Sequence, residues 1–229
     1  MDYVKLLKEN KMSLIMSLPE NNPRWAKIAI ENGADVVKVH VNVHHHASNH
    51  NFGSIEEEKD VLQEILSNSK CPCGIVVGQD VKVVREEYGK AIDMGFSFVS
   101  LYARHTPVQL LREKRIQKMI AFDDSYELGN LPELEKCNVN VFEASVMSPD
   151  SYGLPFSLEE FIKYRRICKA TNLPVVVPTQ REILPEEVSY LAECGVKGIM
   201  IGAIVTGKSD QTIAKSVKAF RKAIDELGQ

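Results

Sequence analysis

The 229-residue sequence contains no apolar run near the ~20 residues that a membrane-spanning helix needs. Its first residues, MDYVKLLKENK, lack the apolar core of a signal peptide. Five scattered cysteines are too few, and odd in number, for a disulfide framework. The net charge of −3 provides no basic field for nucleic acid. We therefore expect a cytoplasmic protein that binds neither a membrane nor nucleic acid.

Several short motifs are also missing. The nucleotide-binding patterns GxGxxG and GxxxxGK[ST] and the zinc motif HExxH do not occur. No linker, low-complexity tract or charge block divides the chain. We therefore expect a single domain over residues 1–229.

What the sequence does contain is an alternation of strand and helix patterns. The predicted strands are 13–19, 35–43, 74–80, 96–104, 119–125, 139–147, 174–181 and 198–205. The predicted helices are 23–32, 55–67, 81–94, 107–115, 128–136, 158–170, 185–194 and 210–227, with glycines 33, 95 and 195 where helices should end. Strands that alternate with helices pair in parallel, and eight can close on themselves. The predicted fold class is α/β, a single (β/α)8 TIM barrel with a phosphate site at strands 7 and 8.

The last two predicted strands end in residues that suit a phosphate. Both strands are apolar throughout, which is typical of strands buried on both faces. Their carboxyl ends supply an arginine, hydroxyl groups and a glycine-containing backbone that an anion can approach closely. We expect phosphate or substrate contacts from Thr179, Gln180, Arg181, Gly202, Ala203, Thr206 and Gly207.

The second predicted strand carries polar residues on one face only. The two-residue period puts Lys38, His40 and Asn42 on one side and valines on the other. Since the valines must face the outer helices, the polar side chains point into the barrel, as a catalytic group or as a structural polar layer. A buried lysine is costly unless it is paired, so we expect Lys38 to meet Glu143 or Asp123. The candidate catalytic residues are Lys38, His40, Asp123 and Glu143, and Asn42 and Arg104 are candidate substrate contacts.

A run of histidines, His44-His45-His46, follows this strand. It indicates either a metal site or an active-site loop whose histidines meet substrate or solvent. Adjacent side chains point in different directions, so such a run rarely binds one ion, and we expect no cofactor. For a divalent metal, the favoured ligand set is His40, Asp80 and Asp123.

Three stretches carry a resemblance to known proteins: ADVVKV at residues 34–39, SLYARHTP at residues 100–107, and residues 184–206. The order of parts resembles the ribulose-phosphate-binding group of barrels, which includes phosphosugar epimerases, isomerases and lyases. Within that group the chain is most similar to N-acylmannosamine-6-phosphate 2-epimerases. The resemblance implies phosphate binding at the last strands and an arginine-bearing turn after the fourth.

The sequence departs from that family at two places. The family's third strand ends in a lysine that is expected to move the proton, where this chain reads GIVVGQD at residues 74–80. Its seventh-strand turn carries an acidic residue and a glycine, where this chain reads PTQR at residues 178–181. The resemblance therefore implies phosphosugar binding, whereas the 2-epimerase reaction lacks its lysine.

These observations favour an enzyme that binds a small phosphorylated metabolite and transfers a proton next to a carbonyl group, as an epimerase or isomerase. Lys38 would polarise the carbonyl, and an acid or a histidine would move the proton. Three alternatives stay open: a lyase or aldolase in which Lys38 forms a Schiff base, a metal-dependent epimerase, and a barrel that binds a phosphorylated ligand without catalysis. Barrels often pair, so a homo-oligomer is a further expectation, although no segment predicts its interface.

Overall fold

A computed structural model describes residues 2–228. Parallel strands close into an eight-stranded barrel: β1 (Ser13–Ser17), β2 (Val36–His40), β3 (Cys73–Val76), β4 (Phe98–Tyr102), β5 (Gln117–Ala121), β6 (Val141–Glu143), β7 (Val175–Pro178) and β8 (Gly198–Ile201). The strands pair in chain order, and β8 pairs with β1 to close the sheet. The predicted (β/α)8 fold and its eight predicted strands are confirmed.

Helices surround the barrel: α1 (Tyr3–Glu9), α2 (Pro23–Glu31), α3 (Lys59–Asn68), α4 (Val81–Met94), α5 (Asn130–Glu135), α6 (Leu158–Ala170), α7 (Val188–Cys194), α8 (Ala203–Thr206) and α9 (Asp210–Asp225). Gly95 and Gly195 end α4 and α7 in the left-handed conformation, with φ of 94° and 96°, as predicted. None of the helices within residues 2–228 is long and apolar enough to cross a membrane.

The segment 107–115 is not the α-helix that the sequence predicts. Only a 3₁₀ helix forms there, over Val108–Arg112. Glu113 ends it, because its carboxylate accepts a hydrogen bond from the backbone N–H of Arg115 at 2.8 Å. Its carbonyl also accepts one from Lys118 Nζ at 2.7 Å. Side-chain hydrogen bonds of this kind compete with those of a helix, so this connection stays irregular.

The apolar side chains form two separate clusters. The larger lies between the strands and the outer helices and includes Val37, Val39 and Val41 of the second-strand segment. The smaller fills the amino-terminal half of the barrel interior, where the rings of Tyr3 and Phe98 stack with centroids 4.0 Å apart. Because Tyr3 belongs to α1, this helix closes the lower end of the barrel. The polar side chains of β2 therefore lie toward the opposite, carboxyl-terminal end of the barrel.

Gly74 on β3 makes room for this closure. A Cβ atom at Gly74 would lie between 2.1 and 2.5 Å from three carbons of the Phe98 ring. We expect Gly74→Ala to lower the free energy of unfolding by ~1–3 kcal/mol, because Phe98 and the stacked Tyr3 must both shift. Urea unfolding monitored by circular dichroism measures the change.

Gly89→Ala provides the matched control. A Cβ atom at Gly89, inside α4, would meet nothing within 4 Å. Alanine is favoured over glycine in a helix interior by ~0.5–1 kcal/mol, so this variant should be more stable than the wild type. If both variants shifted the urea midpoint in the same direction, the account of Gly74 would be wrong.

Candidate active site

A cavity of about 290 Å³ opens at the carboxyl ends of the barrel strands. This volume is at the lower end of the range for ligand pockets and suits a small molecule. The predicted site residues that line it are Lys38, His40, Arg104, Glu143, Thr179, Gln180, Gly202 and Ala203. The predicted site residues outside its lining are Asn42, Asp123, Arg181, Thr206 and Gly207.

A buried ion pair lies at the base of the cavity. Lys38 Nζ is 3.8 Å from Glu143 Oε2, and the two side chains are 6% and 9% exposed. This distance is too long for a hydrogen bond. The same oxygen of Glu143 accepts a hydrogen bond from Ser100 Oγ at 2.7 Å. The predicted contact between Lys38 and Glu143 is confirmed.

The environment of Lys38 changes its chemistry. Burial lowers the pKa of the Lys38 amine, and the Glu143 carboxylate opposes this effect only in part. At a given pH, a larger fraction of the Lys38 amine is therefore neutral than in an exposed lysine. The neutral form is a nucleophile, and the protonated form can stabilise an oxyanion.

His40 is the next inward-facing residue of β2. Its ring packs against His45 and Phe52, with centroid distances of 4.5 and 4.9 Å. Its Nε2 lies 3.5 Å from Ser17 Oγ, and its Nδ1 is buried without a hydrogen-bond partner in the part of the chain that the structure describes. Burial, followed by the charges of neighbouring histidines and Lys38, lowers the pKa of His40 well below 6.5. The ring is neutral at physiological pH.

The histidine run forms a short hairpin beside the cavity, which we call the histidine hairpin (residues 44–51). His44–His45 pairs in antiparallel fashion with His50–Asn51, and a 3₁₀ turn, His46–Ser48, joins them. The ring of His46 meets the ring of Tyr152 edge-on, with centroids 5.3 Å apart. Three of the hairpin's histidines, His44, His45 and His46, line the cavity. The interpretation of this segment as an active-site loop stays a prediction.

The alternative metal site is not assembled. No group of three or more His, Cys, Asp or Glu side chains that could hold an ion occurs between residues 2 and 228. Asp80 instead caps α4, where its Oδ1 accepts hydrogen bonds from the backbone N–H groups of Lys82 and Val83. Asp123 pairs with Arg104. Within residues 2–228, neither carboxylate forms a group with His40 that could hold an ion.

Asn42 and Asp123 do not point into the cavity, because their strands end before them. β2 ends at His40, and Asn42 takes a left-handed φ of 55° that breaks the alternation. Its side-chain amide donates a hydrogen bond to the Val77 carbonyl at 3.2 Å. β5 likewise ends at Ala121, two residues before Asp123. The predicted inward placement of both side chains is therefore wrong, and both instead contact the surrounding loops.

Arg181 also points away from the cavity. Its Nη2 lies 2.5 Å from Glu160 Oε1, and its Nη1 donates a hydrogen bond to the Ser151 carbonyl at 2.9 Å. The two charged side chains are 14% and 2% exposed. A buried carboxylate is costly without a cationic partner, so Glu160 at the start of α6 pairs with the guanidinium of Arg181. The expected placement of Arg181 at the phosphate is thereby corrected. Arg181 instead connects the loop that carries Tyr152 to the end of β7.

The turn from β8 into α8 offers an anion two backbone donors. Ala203 and Ile204 line the cavity, and the N–H groups at a helix start have no partner inside the helix. The N–H of Gly202 is used differently, since it donates to Thr179 Oγ1 at 3.3 Å. Thr179 therefore supports the turn from β7. Such outward N–H groups form anion-binding concavities.

The remaining two predicted phosphate contacts, Thr206 and Gly207, lie one helical turn after Ala203, at the end of α8. Thr206 is buried, and its hydroxyl donates to the Gly207 carbonyl at 3.0 Å. Gly207 ends α8 with a φ of 62°. These residues shape the end of the short helix, which is why neither lines the cavity.

Gln180 and Tyr152 form a polar wall between β6 and β7. Gln180 Nε2 donates to the Tyr152 hydroxyl at 2.5 Å, and its Oε1 accepts from the backbone N–H of Met147 at 3.2 Å. The hydroxyls of Tyr102 and Ser145 lie 2.8 Å apart on the same side. Sequence reasoning missed Tyr152, because its loop has no periodic pattern and only the fold brings it to the cavity.

No family model matches the chain, and no curated protein matches its sequence. Solved structures do match. Thiamine phosphate pyrophosphorylase from Pyrococcus furiosus has a TM-score of 0.65 at 16% identity, covering 96% of this chain and 98% of that one. KGPDC from Streptococcus mutans has a TM-score of 0.69 at 8% identity, covering 96% and 100%. Phosphoribosylanthranilate isomerase from Thermotoga maritima has a TM-score of 0.62 at 17% identity, covering 94% and 100%.

At these identities, the likeness shows the shared (β/α)8 fold. It agrees with the fold implied by the sequence resemblance to ribulose-phosphate-binding barrels. The finer resemblance to N-acylmannosamine-6-phosphate 2-epimerases stays a prediction.

The Arg181–Glu160 pair generates a stability prediction. Arg181→Ala leaves the Glu160 carboxylate buried without its cationic partner, so we expect the free energy of unfolding to fall by ~3–5 kcal/mol. Adding Glu160→Gln to this variant should recover part of the loss, because the uncompensated charge is then removed. Urea unfolding of the single and double variants measures both effects.

Arg115→Ala is the control for that experiment. Arg115 also pairs with a carboxylate, Glu113, at 2.8 Å, but its side chain is 65% exposed. Exposed pairs contribute little, so the urea midpoint should hardly move. Equal losses in Arg181→Ala and Arg115→Ala would show that burial of Glu160 is not what matters.

The two neutral histidines generate a pH prediction. Burial is the main cause that lowers the pKa of both His40 and His45 below 6.5, and the pKa of His45 is about 3. Below pH 6.5 the unfolded His45 ring takes up a proton that the folded ring does not, so the stability that His45 contributes is complete above pH 6.5 and is lost as the pH falls toward 3. Replacing His45 by Gln should reduce the slope of stability against pH in this window by ~1.4 kcal/mol per pH unit. Urea unfolding at stepped pH values tests this, and an unchanged slope would mean that His45 is already protonated in the fold.

Proposed function

We propose that the protein is a phosphosugar-binding barrel enzyme that moves a proton next to a carbonyl group, as an epimerase or isomerase does. The observation that carries the proposal is the buried pair of Lys38 and Glu143 at the base of a small cavity. A carboxylate and an amine held together below a ligand supply a base and an oxyanion partner, which are the two groups that enolisation needs.

Each polar group at the base has a role in this reaction. Glu143 accepts the proton from the carbon next to the carbonyl, while Ser100 holds one of its oxygens in place. Lys38 donates a hydrogen bond to the carbonyl oxygen as negative charge develops there. In an isomerisation, Glu143 gives the proton to the neighbouring carbon. In an epimerisation, the ring N–H of His40, which lines the same cavity, protonates the same carbon, and the proton held by Glu143 restores the ring through solvent.

The phosphate is assigned to the turn between β8 and α8. The free N–H groups of Ala203 and Ile204 supply the donors, and the Thr179–Gly202 hydrogen bond fixes the turn that presents them. The volume of about 290 Å³ suits a sugar phosphate of few carbons. Two barrels that share the fold, the thiamine phosphate pyrophosphorylase and the phosphoribosylanthranilate isomerase, are named for phosphorylated compounds, which supports a ligand of this kind.

A Schiff-base lyase is the second candidate, and the burial of Lys38 favours it. Because burial lowers the pKa of the amine, more of it is neutral and able to attack a carbonyl carbon. The attack forms a carbinolamine, and loss of water gives the imine. Borohydride reduces only the imine, so a covalent adduct on Lys38 identifies this mechanism.

Proton exchange tests the proposed reaction. We expect the protein to introduce deuterium next to the carbonyl of at least one aldose or ketose phosphate in deuterated water, as read by NMR. Lys38→Met and Glu143→Gln should each lower the exchange rate by about 100-fold or more, because each removes a group that acts on the substrate. Lys118→Met is the matched control, since Lys118 is a buried barrel lysine that bonds the Glu113 carbonyl outside the cavity.

Thermal shift with the same compounds separates binding from turnover. A ligand that binds the native state raises the melting temperature by mass action. Stabilisation without deuterium exchange, and without a borohydride adduct, would contradict the proposed reaction and favour a barrel that only binds its ligand. Exchange that persists in Glu143→Gln would remove Glu143 from the mechanism.

A further inference from the structure

The exposed apolar side chains are concentrated on one face of the protein. Six large hydrophobic residues between residues 2 and 228 are exposed, and five of them lie between residues 154 and 190. They are Leu154 (52% exposed), Leu158 (70%), Ile162 (47%), Leu184 (42%) and Tyr190 (51%). We call them the α6–α7 face. The sixth, Val108, lies in the connection between β4 and β5.

The five residues form one surface because α6 and α7 pack side by side. The rings of Phe161 on α6 and Tyr190 on α7 meet edge-on, with centroids 6.3 Å apart. Ile162 follows Leu158 by one helical turn, so both lie on the same side of α6. The loops before the two helices also touch, since the Glu182 N–H donates to the Leu154 carbonyl at 2.9 Å. A cluster of this kind on a protein surface marks an interaction site.

The charges beside this face are divided between the two helices. The second half of α6 carries exposed basic residues, and α7 with the 3₁₀ turn before it carries exposed acidic ones. They are Arg165, Arg166 and Lys169 on α6, and Glu186 and Glu193 on the α7 side. None of these five forms an ion pair within 4.0 Å in the described part of the chain.

We propose that the α6–α7 face binds a second copy of this chain, about a two-fold axis that runs along the seam between the two helices. In a two-fold interface, the residues on one side of the axis meet those on the other side. The basic helix α6 of each copy therefore meets the acidic helix α7 of the other, and the apolar residues are buried between them. An axis across the helices would place the acidic α7 of one copy on the acidic α7 of the other, so like charges would meet there. The charge pattern therefore favours a two-fold axis along the seam over one across the helices.

Sedimentation velocity over a series of concentrations tests the surface. The wild-type chain should form a dimer, and Ile162→Arg should leave a monomer, because it places a cation in the apolar centre. Val108→Arg is the matched control: Val108 is 72% exposed but lies outside the face, so this variant should dimerise like the wild type. Because both positions are exposed, the variants should keep the circular dichroism spectrum of the wild type.

A charge exchange tests the axis. Arg165 and Glu193 lie at the same level of the seam, since Phe161, one turn before Arg165, meets Tyr190, three residues before Glu193. Arg165→Glu and Glu193→Arg should each raise the dimer dissociation constant by about tenfold or more, because like charges then face each other. The variant with both changes should return to within about threefold of the wild type.

These results bear only on the surface and are independent of the proposed reaction. A wild-type chain that stays monomeric overturns the proposal and leaves the face to a different partner. A dimer that survives Ile162→Arg, or a double charge variant no tighter than the single ones, overturns it as well.

Discussion

The burial of a lysine inside a closed barrel is the constraint on which the candidate site depends. Lys38 is 6% exposed, so its amine needs a compensating charge close by. That charge comes from Glu143 on β6, which stands across the barrel from β2. The pair can meet only because the sheet closes. The stacked rings of Tyr3 and Phe98 fill the interior below it, so a ligand reaches the pair through the cavity at the carboxyl ends.

The same rule is the reason why the proposed phosphate site uses backbone donors. Glu160 is buried at the start of α6 and takes the guanidinium of Arg181. Arg104, whose side chain is 53% exposed, pairs with Asp123 at the edge of the cavity. The charged groups nearest the cavity are therefore committed in pairs, and the N–H groups of Ala203 and Ile204 remain as donors for an anion. Under the proposed function, a phosphate held in this way would keep its charge apart from the Lys38 amine, which would stay available to a carbonyl oxygen.

Particular residues show how far sequence reasoning reached. The inward direction of Lys38 and its contact with Glu143 followed from the two-residue period and the cost of an unpaired charge, and both are confirmed. The same period failed at Asn42 and Asp123, because alternation holds only while the strand continues, and each strand ends earlier than its apolar run. Arg181 was assigned to the cavity because it follows β7, but a buried carboxylate of a distant helix competes for it. Tyr152 was missed because its loop has no periodic sequence pattern that predicts the direction of its side chain.

The sequence by itself determined the class of fold and the buried polar face of β2, because both depend on local periodicity and on short-range turn chemistry such as that of Gly95 and Gly195. Only the tertiary structure decided which charges pair and which residues line the cavity. Those outcomes depend on distances between segments far apart in the chain. They also depend on competition among several possible partners for each buried charge, and no local pattern records either.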